Sequence, residues 1–125
     1  MRVLIDTHIY LWAVTDDDKL SQKARQIIMK ANEVFVSSAS IWEISIKQSL
    51  GKIDGDIELL IQGIEQSGFV ELPIRAVHAF TVSHLPNIHK DPFDRMLIAQ
   101  AISEPMHFLT ADEMLQDYSE LVIKL

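Results

Sequence analysis

Apolar residues along this chain switch between two rhythms. Short β-branched or aromatic runs fall at residues 2–5, 33–36, 69–72, 107–109 and 121–123, and each reads as a strand. Between them the apolar positions recur at helical spacing. Leu20, Ala24, Ile27, Ile28 and Ala31 form one stripe, and Ile57, Leu60, Ile61 and Ile64 form another. Shorter helices are expected at 8–14, at 75–83 and from Ala111 onward. A further helix opens at Ser40 and runs to about residue 50, where Gly51 stops it. The last begins at Pro92, a residue favoured in a first helical turn, and reaches about Ser103. Its run of Met96, Leu97, Ile98, Ala99, Ala101 and Ile102 leaves little polar face, so it belongs in the interior.

Strands separated by helices predict βαβ units and hence a parallel sheet, with right-handed crossovers placing helices on both faces. The expected fold is α/β: a central parallel sheet of about five short strands in one domain spanning residues 1–125. A chain of that length buries enough surface to be stable without staples. It contains no cysteine, which removes disulfides and thiolate metal sites. No run approaches the ~20 apolar residues of a membrane span, so a soluble, cytoplasmic protein is expected. The net charge of −7 argues against general attraction to nucleic acid. Lys47, Lys52, Lys90 and Arg95 could hold a phosphate backbone near the candidate chemistry, although each taken singly reads as a solvated lysine or an ion pair.

That chemistry rests on four acids. Asp6 ends the first strand, Glu43 lies in the first turn after the second, Asp94 opens the apolar helix, and Asp112 closely follows residues 107–109. In an open parallel sheet, ligands bind beyond the carboxyl ends of the strands, so all four project toward one edge. Each also has a structural use. Ser40 with Glu43 fits a capping box, Asp91 fits an N-cap with Asp94 in the dipole-favoured first turn, and Thr110 with Asp112 fits a third cap. Asp6 fits that use least, since a carboxylate ending an apolar central strand is costly without a partner. Capping does not explain why all four share an edge. Clustered carboxylates repel unless a cation intervenes, and an oxygen donor set selects Mg²⁺ or Mn²⁺. Such ions clamp phosphate oxygens and activate water for in-line displacement. His78, His84 and His89 match no zinc signature and are expected to be ordinary histidines, and Trp12 and Trp42 to be core or dimer interface.

The ordered motifs Leu4-Ile5-Asp6-Thr7-His8, Ser40-Ile41-Trp42-Glu43-Ile44, Asp91-Pro92-Phe93-Asp94-Arg95-Met96 and Leu109-Thr110-Ala111-Asp112 span nearly the whole chain. In them the chain resembles PIN-domain ribonucleases, particularly the VapC-like toxins of bacterial toxin–antitoxin pairs. The resemblance implies a PIN-like fold and metal-dependent cleavage of RNA. Asp6, Glu43 and Asp94 would be the core triad and Asp112 the fourth metal ligand. It further implies Mg²⁺ or Mn²⁺ as cofactor, a cognate antitoxin, and a homodimer. Thr7 and Thr110 would orient acids or water, Asp91 would be an additional acid beside its N-cap use, and Arg95 would contact RNA or, the favoured use, form a structural ion pair. Two other classes compete. An aspartyl-phosphate phosphoryl-transfer domain fits poorly, because position 8 is His where a second Asp is needed and no acid directly follows Leu72. A non-catalytic PIN-like binding module is opposed by acids at all four positions.

Overall fold

The computed structural model describes residues 1–125. Its five strands are β1 (Arg2–Ile5), β2 (Glu33–Ser37), β3 (Val70–Leu72), β4 (His107–Thr110) and β5 (Val122–Lys124). They form one sheet in the order β3-β2-β1-β4-β5, with every pair parallel. The helices are α1 (Thr7–Val14), α2 (Gln22–Lys30), α3 (Ser38–Ser49), α4 (Ile57–Gln66), α5 (Ala76–Val82) and α6 (Pro92–Ser103), followed by a 3₁₀ turn at Glu113–Tyr118. The alternation expected from the sequence is present throughout.

The two-residue period of the strands divides the interior in two. Val3 and Ile5 of β1, Val34 and Val36 of β2 and Leu109 of β4 point to one side. There they pack on Ile9, Tyr10, Leu20, Ala24, Ile44, Leu60 and Ile64 from the first four helices and the α1–α2 turn. Leu4, Phe35 and Phe108 point to the other, against Leu97, Ile98, Ala101, Met106 and Leu115. Helix α6 is buried continuously from Leu97 to Ala101, as its sequence requires. The stripe on α4 is only partly used: Leu60 and Ile64 are buried, whereas Ile61 is 48% exposed.

Two helix starts differ from expectation. Helix α3 begins at Ser38 directly off β2, with Ser37 as its N-cap accepting from Ala39 N, so Ser40 caps nothing and Glu43 lies beyond the first turn. At the C-terminal end, Asp112 is itself the N-cap of a 3₁₀ turn, accepting from Met114 N, instead of following a Thr110 cap. Asp91 caps α6 as expected, accepting from the backbone N–H groups of Phe93 and Asp94.

Candidate metal centre

Asp6 leaves β1 at the middle of the sheet and Asp112 follows the neighbouring β4, so topology alone brings residues 106 positions apart to one edge. Contrary to expectation, Asp6 also caps a helix: Oδ1 accepts from Ile9 N at 2.8 Å, the start of α1. Its other oxygen, Oδ2, accepts from the Thr110 hydroxyl at 2.6 Å. The same hydroxyl oxygen accepts from Asp112 N at 3.0 Å, so Thr110 ties the first acid to the fourth. Burial pushes the Asp6 carboxyl above its ordinary pKa, against the opposing help of Thr110, Ile9 N–H and His8.

Glu43 reaches the same edge from α3 and is buried. Oε1 accepts from the Thr7 hydroxyl at 2.7 Å, and Thr7 in turn lies 2.9 Å from Ser40 Oγ. Oε2 accepts from Lys47 Nζ at 2.6 Å, one helical turn along. The hydrogen bond to Glu43 raises the Lys47 pKa, with burial opposing and the charges of Asp91 and Asp94 adding to the rise.

Asp94 stands in the first turn of α6. Burial first, then the negative charges of Asp91, Asp6 and Glu43, push its pKa up to about 7, while His89 opposes. The charges of Asp6 and Glu43 thus act on Asp94, and that of Glu43 acts on Asp6. Asp112 completes the edge through His89, whose Nε2 lies 3.3 Å from Asp112 Oδ2 and 3.7 Å from Asp94 Oδ2. One ligand atom from each of His89, Asp94 and Asp112 falls within a 4.8 Å span.

His89 was not singled out by the sequence, where it was grouped with His78 and His84. The other two behave as ordinary histidines: His78 is fully buried, 2.6 Å from Glu104, and His84 packs on Phe80 at the surface. His89 sits in the loop before α6, a place no periodicity can aim; its one signal is its position two residues before Asp91. Asp91 N–H donates to His89 Nδ1 at 3.0 Å, which leaves the ring proton of the neutral imidazole on Nε2, facing the acids. Tyr118 anchors the loop, its hydroxyl oxygen accepting from His89 N at 2.7 Å.

Arg95 makes no ion pair. Its guanidinium donates to the carbonyls of Pro86 and Val82 and to the Tyr118 hydroxyl, fastening the loop that carries His89. Trp42 is not core: it is 59% exposed and meets Phe93 edge-on, with ring centroids 5.1 Å apart. Ala39, Trp42, Ile74, Pro92, Phe93 and Met96 line an apolar recess of about 310 Å³ beside the acids, with Lys90 at its border.

The donor set suits a hard divalent ion. Carboxylate oxygens dominate, one of the acids is raised to about neutrality by burial and by its acidic neighbours, and the only lysine or arginine paired with them is the monovalent Lys47. The site leaves negative charge uncompensated, which a bound cation would relieve.

A profile of the PIN-domain family matches residues 3–121. Ribonuclease VapC22 of Mycobacterium tuberculosis (strain ATCC 25618 / H37Rv) is 27% identical over 118 residues, covering 93% of this chain and 91% of its own. Among solved structures, VapBC2 from Rickettsia felis, bound to a DNA fragment from its promoter, superposes with a TM-score of 0.72 at 16% identity. That likeness covers 100% of this chain and 98% of the other. A toxin–antitoxin complex from Klebsiella pneumoniae gives a TM-score of 0.69 at 15% identity, covering 98% and 96%.

Proposed function

The chain belongs to the PIN-domain family, and on that premise we propose that it is a metal-dependent endoribonuclease, the toxin of a toxin–antitoxin pair. The observation that carries this reading is the convergence of Asp6, Glu43 and Asp94 from three separate elements, where burial first, and then the charges of Asp91, Asp6 and Glu43, raise the Asp94 pKa to about 7. The similarity to Ribonuclease VapC22 supports the same activity, and the fold it shares with toxin–antitoxin complexes supports an antitoxin partner.

Asp6, Glu43, Asp94 and Asp112 would hold Mg²⁺ or Mn²⁺. When bound, the ion lowers the pKa of water and polarises the scissile phosphate for in-line attack. The protein's own contribution is orientation. Thr110 and Ile9 N–H fix the two Asp6 oxygens and Thr7 and Lys47 the two of Glu43, and each carboxylate oxygen keeps a second lone pair that an ion could use. The whole of residues 1–125 would act as one domain in the cytoplasm; no helix is long and apolar enough to cross a membrane. Two surfaces would serve partners. The recess beside the acids suits an apolar segment of an antitoxin, and the exposed Val77 and Phe80 of α5 suit a second copy of the chain.

Cleavage of a fluorogenic single-stranded RNA should require Mg²⁺ or Mn²⁺ and stop in EDTA. Asp6→Asn and Asp94→Asn should each lower the rate by more than about 100-fold, beyond the loss typical of a residue that only orients a metal ligand. Circular dichroism should remain native. Cleavage that persists in EDTA rejects this function, and native variants with undiminished rates reject the assigned residues.

A further inference from the structure

We propose that Lys47 is the resident cation of the acid edge and stands in for a second divalent ion, so that the protein works with one metal per chain. The inference rests on the metal-dependent reading above and deepens it.

The acid edge has two unlike ends. At one, His89, Asp94 and Asp112 present ligand atoms within 4.8 Å of one another, and no lysine or arginine is paired with them. At the other, both Glu43 oxygens are already engaged, Oε1 by the Thr7 hydroxyl and Oε2 by the Lys47 ammonium at 2.6 Å. Asp6 lies buried, its two oxygens held by Ile9 N–H and Thr110. The charges of Asp91 and Asp94 also act on the ammonium from α6.

An i,i+4 lysine–glutamate pair on a helix surface contributes only a few tenths of a kcal/mol and has no bearing on chemistry. This pair differs because the Glu43 side chain is only 5% exposed, and a buried carboxylate stripped of its partner is left uncompensated. Sites that hold two divalent ions set them about 3.5–4 Å apart, each requiring carboxylate oxygens. A second ion on Glu43 would have to displace the ammonium from Oε2 or stand against it as a like charge. The ammonium can instead do part of that ion's work. It carries three N–H donors, and Glu43 uses one. The others are free for a phosphate oxygen, which lysine binds as a point charge.

The number of ions tests this directly. Manganese bound to the full chain is counted by electron paramagnetic resonance titration at neutral pH, for the natural protein and for Lys47→Gln, Lys47→Met and Lys47→Arg. The expected result is one Mn²⁺ per chain for the natural protein and for Lys47→Arg. Either neutral variant should gain a second ion. The metal dependence of RNA cleavage should then steepen. Two ions on the natural protein overturn the proposal without any variant. It also fails if a folded neutral variant still binds one. Absence of any bound Mn²⁺ on the natural protein rejects the metal-dependent function itself, a different failure from either of these.

Discussion

Asp94 is paired with no lysine or arginine, and its neighbours are mostly acids. A carboxyl whose pKa in the folded chain lies near 7 instead of 3.8 holds its proton more tightly there than when unfolded. Stability must therefore fall as pH rises from about 4 to about 7. Without metal, the melting temperature is expected to be lower at pH 8 than at pH 5, with Mn²⁺ reversing the loss. Asp94→Asn should flatten that dependence and stabilise the metal-free protein at pH 8 by about 2 kcal/mol. That is less than the whole shift implies, because water still reaches 23% of the side chain. A thermal melt series in buffer with EDTA checks both points; an unchanged pH slope in Asp94→Asn would refute the assignment. At this scale the sequence placed Asp6 and Asp112 where a strand gives way to a helical turn, but Glu43 lies inside α3 and Asp94 follows a loop. It did not convey His89, whose direction depends on a hydrogen bond from Asp91 N–H and a clasp by Tyr118. Nor did it reveal that Arg95 serves carbonyls, because a guanidinium's partners are set by a loop without periodicity.

Elements were legible where a pattern repeats and less so where it ends. The apolar content of α6 predicted its burial, and its Asp91-Pro92 start was read correctly. The start of α3 was not, because Ser37, Ser38 and Ser40 offer similar capping chemistry. Pairing of β2 with β3 runs through Ser37 opposite Leu72, so the helix starts as soon as the ladder ends. Ser40 is thereby freed to meet Thr7. A sharper constraint lies where α4 crosses α1. A Cβ on Gly63 would stand 2.7 Å from Val14 Cγ2 and 3.0 Å from the Tyr10 hydroxyl oxygen. That hydroxyl donates to the Leu60 carbonyl from a buried position. Gly→Ala inside a helix ordinarily gains up to about 1 kcal/mol. Here overpacking should outweigh that gain, and Gly63→Ala is expected to destabilise by about 1–3 kcal/mol in urea unfolding. A stabilised variant would show that the two helices can move apart freely.

For the whole molecule, the alternating rhythm was enough to give a parallel sheet with helices on both faces, but not the order of its strands. Local pattern cannot say that β4 returns to lie beside β1. That return is what sets Asp112 near Asp6. Patterning is also silent about surfaces. Trp42, Val77 and Phe80 were not separable from core residues by sequence, yet they are 59%, 49% and 66% exposed. Large apolar side chains in that number call for a covering surface. Sedimentation should give twice the chain mass, and Phe80→Asp should shift it to the monomer, a change that a residue outside the interface would not cause.

The clasp around His89 is made by Tyr118, and the first acid is fixed by Thr110, both from the late part of the chain. Folding during synthesis begins with the N-terminal portion. A nascent polypeptide that has emerged only through α6 therefore holds Asp6, Glu43 and Asp94 without Asp112, the Thr110 hydroxyl or the Tyr118 clasp. The donor set is complete only after residues 110–118 emerge, so a divalent ion would meet all four acids only late in synthesis.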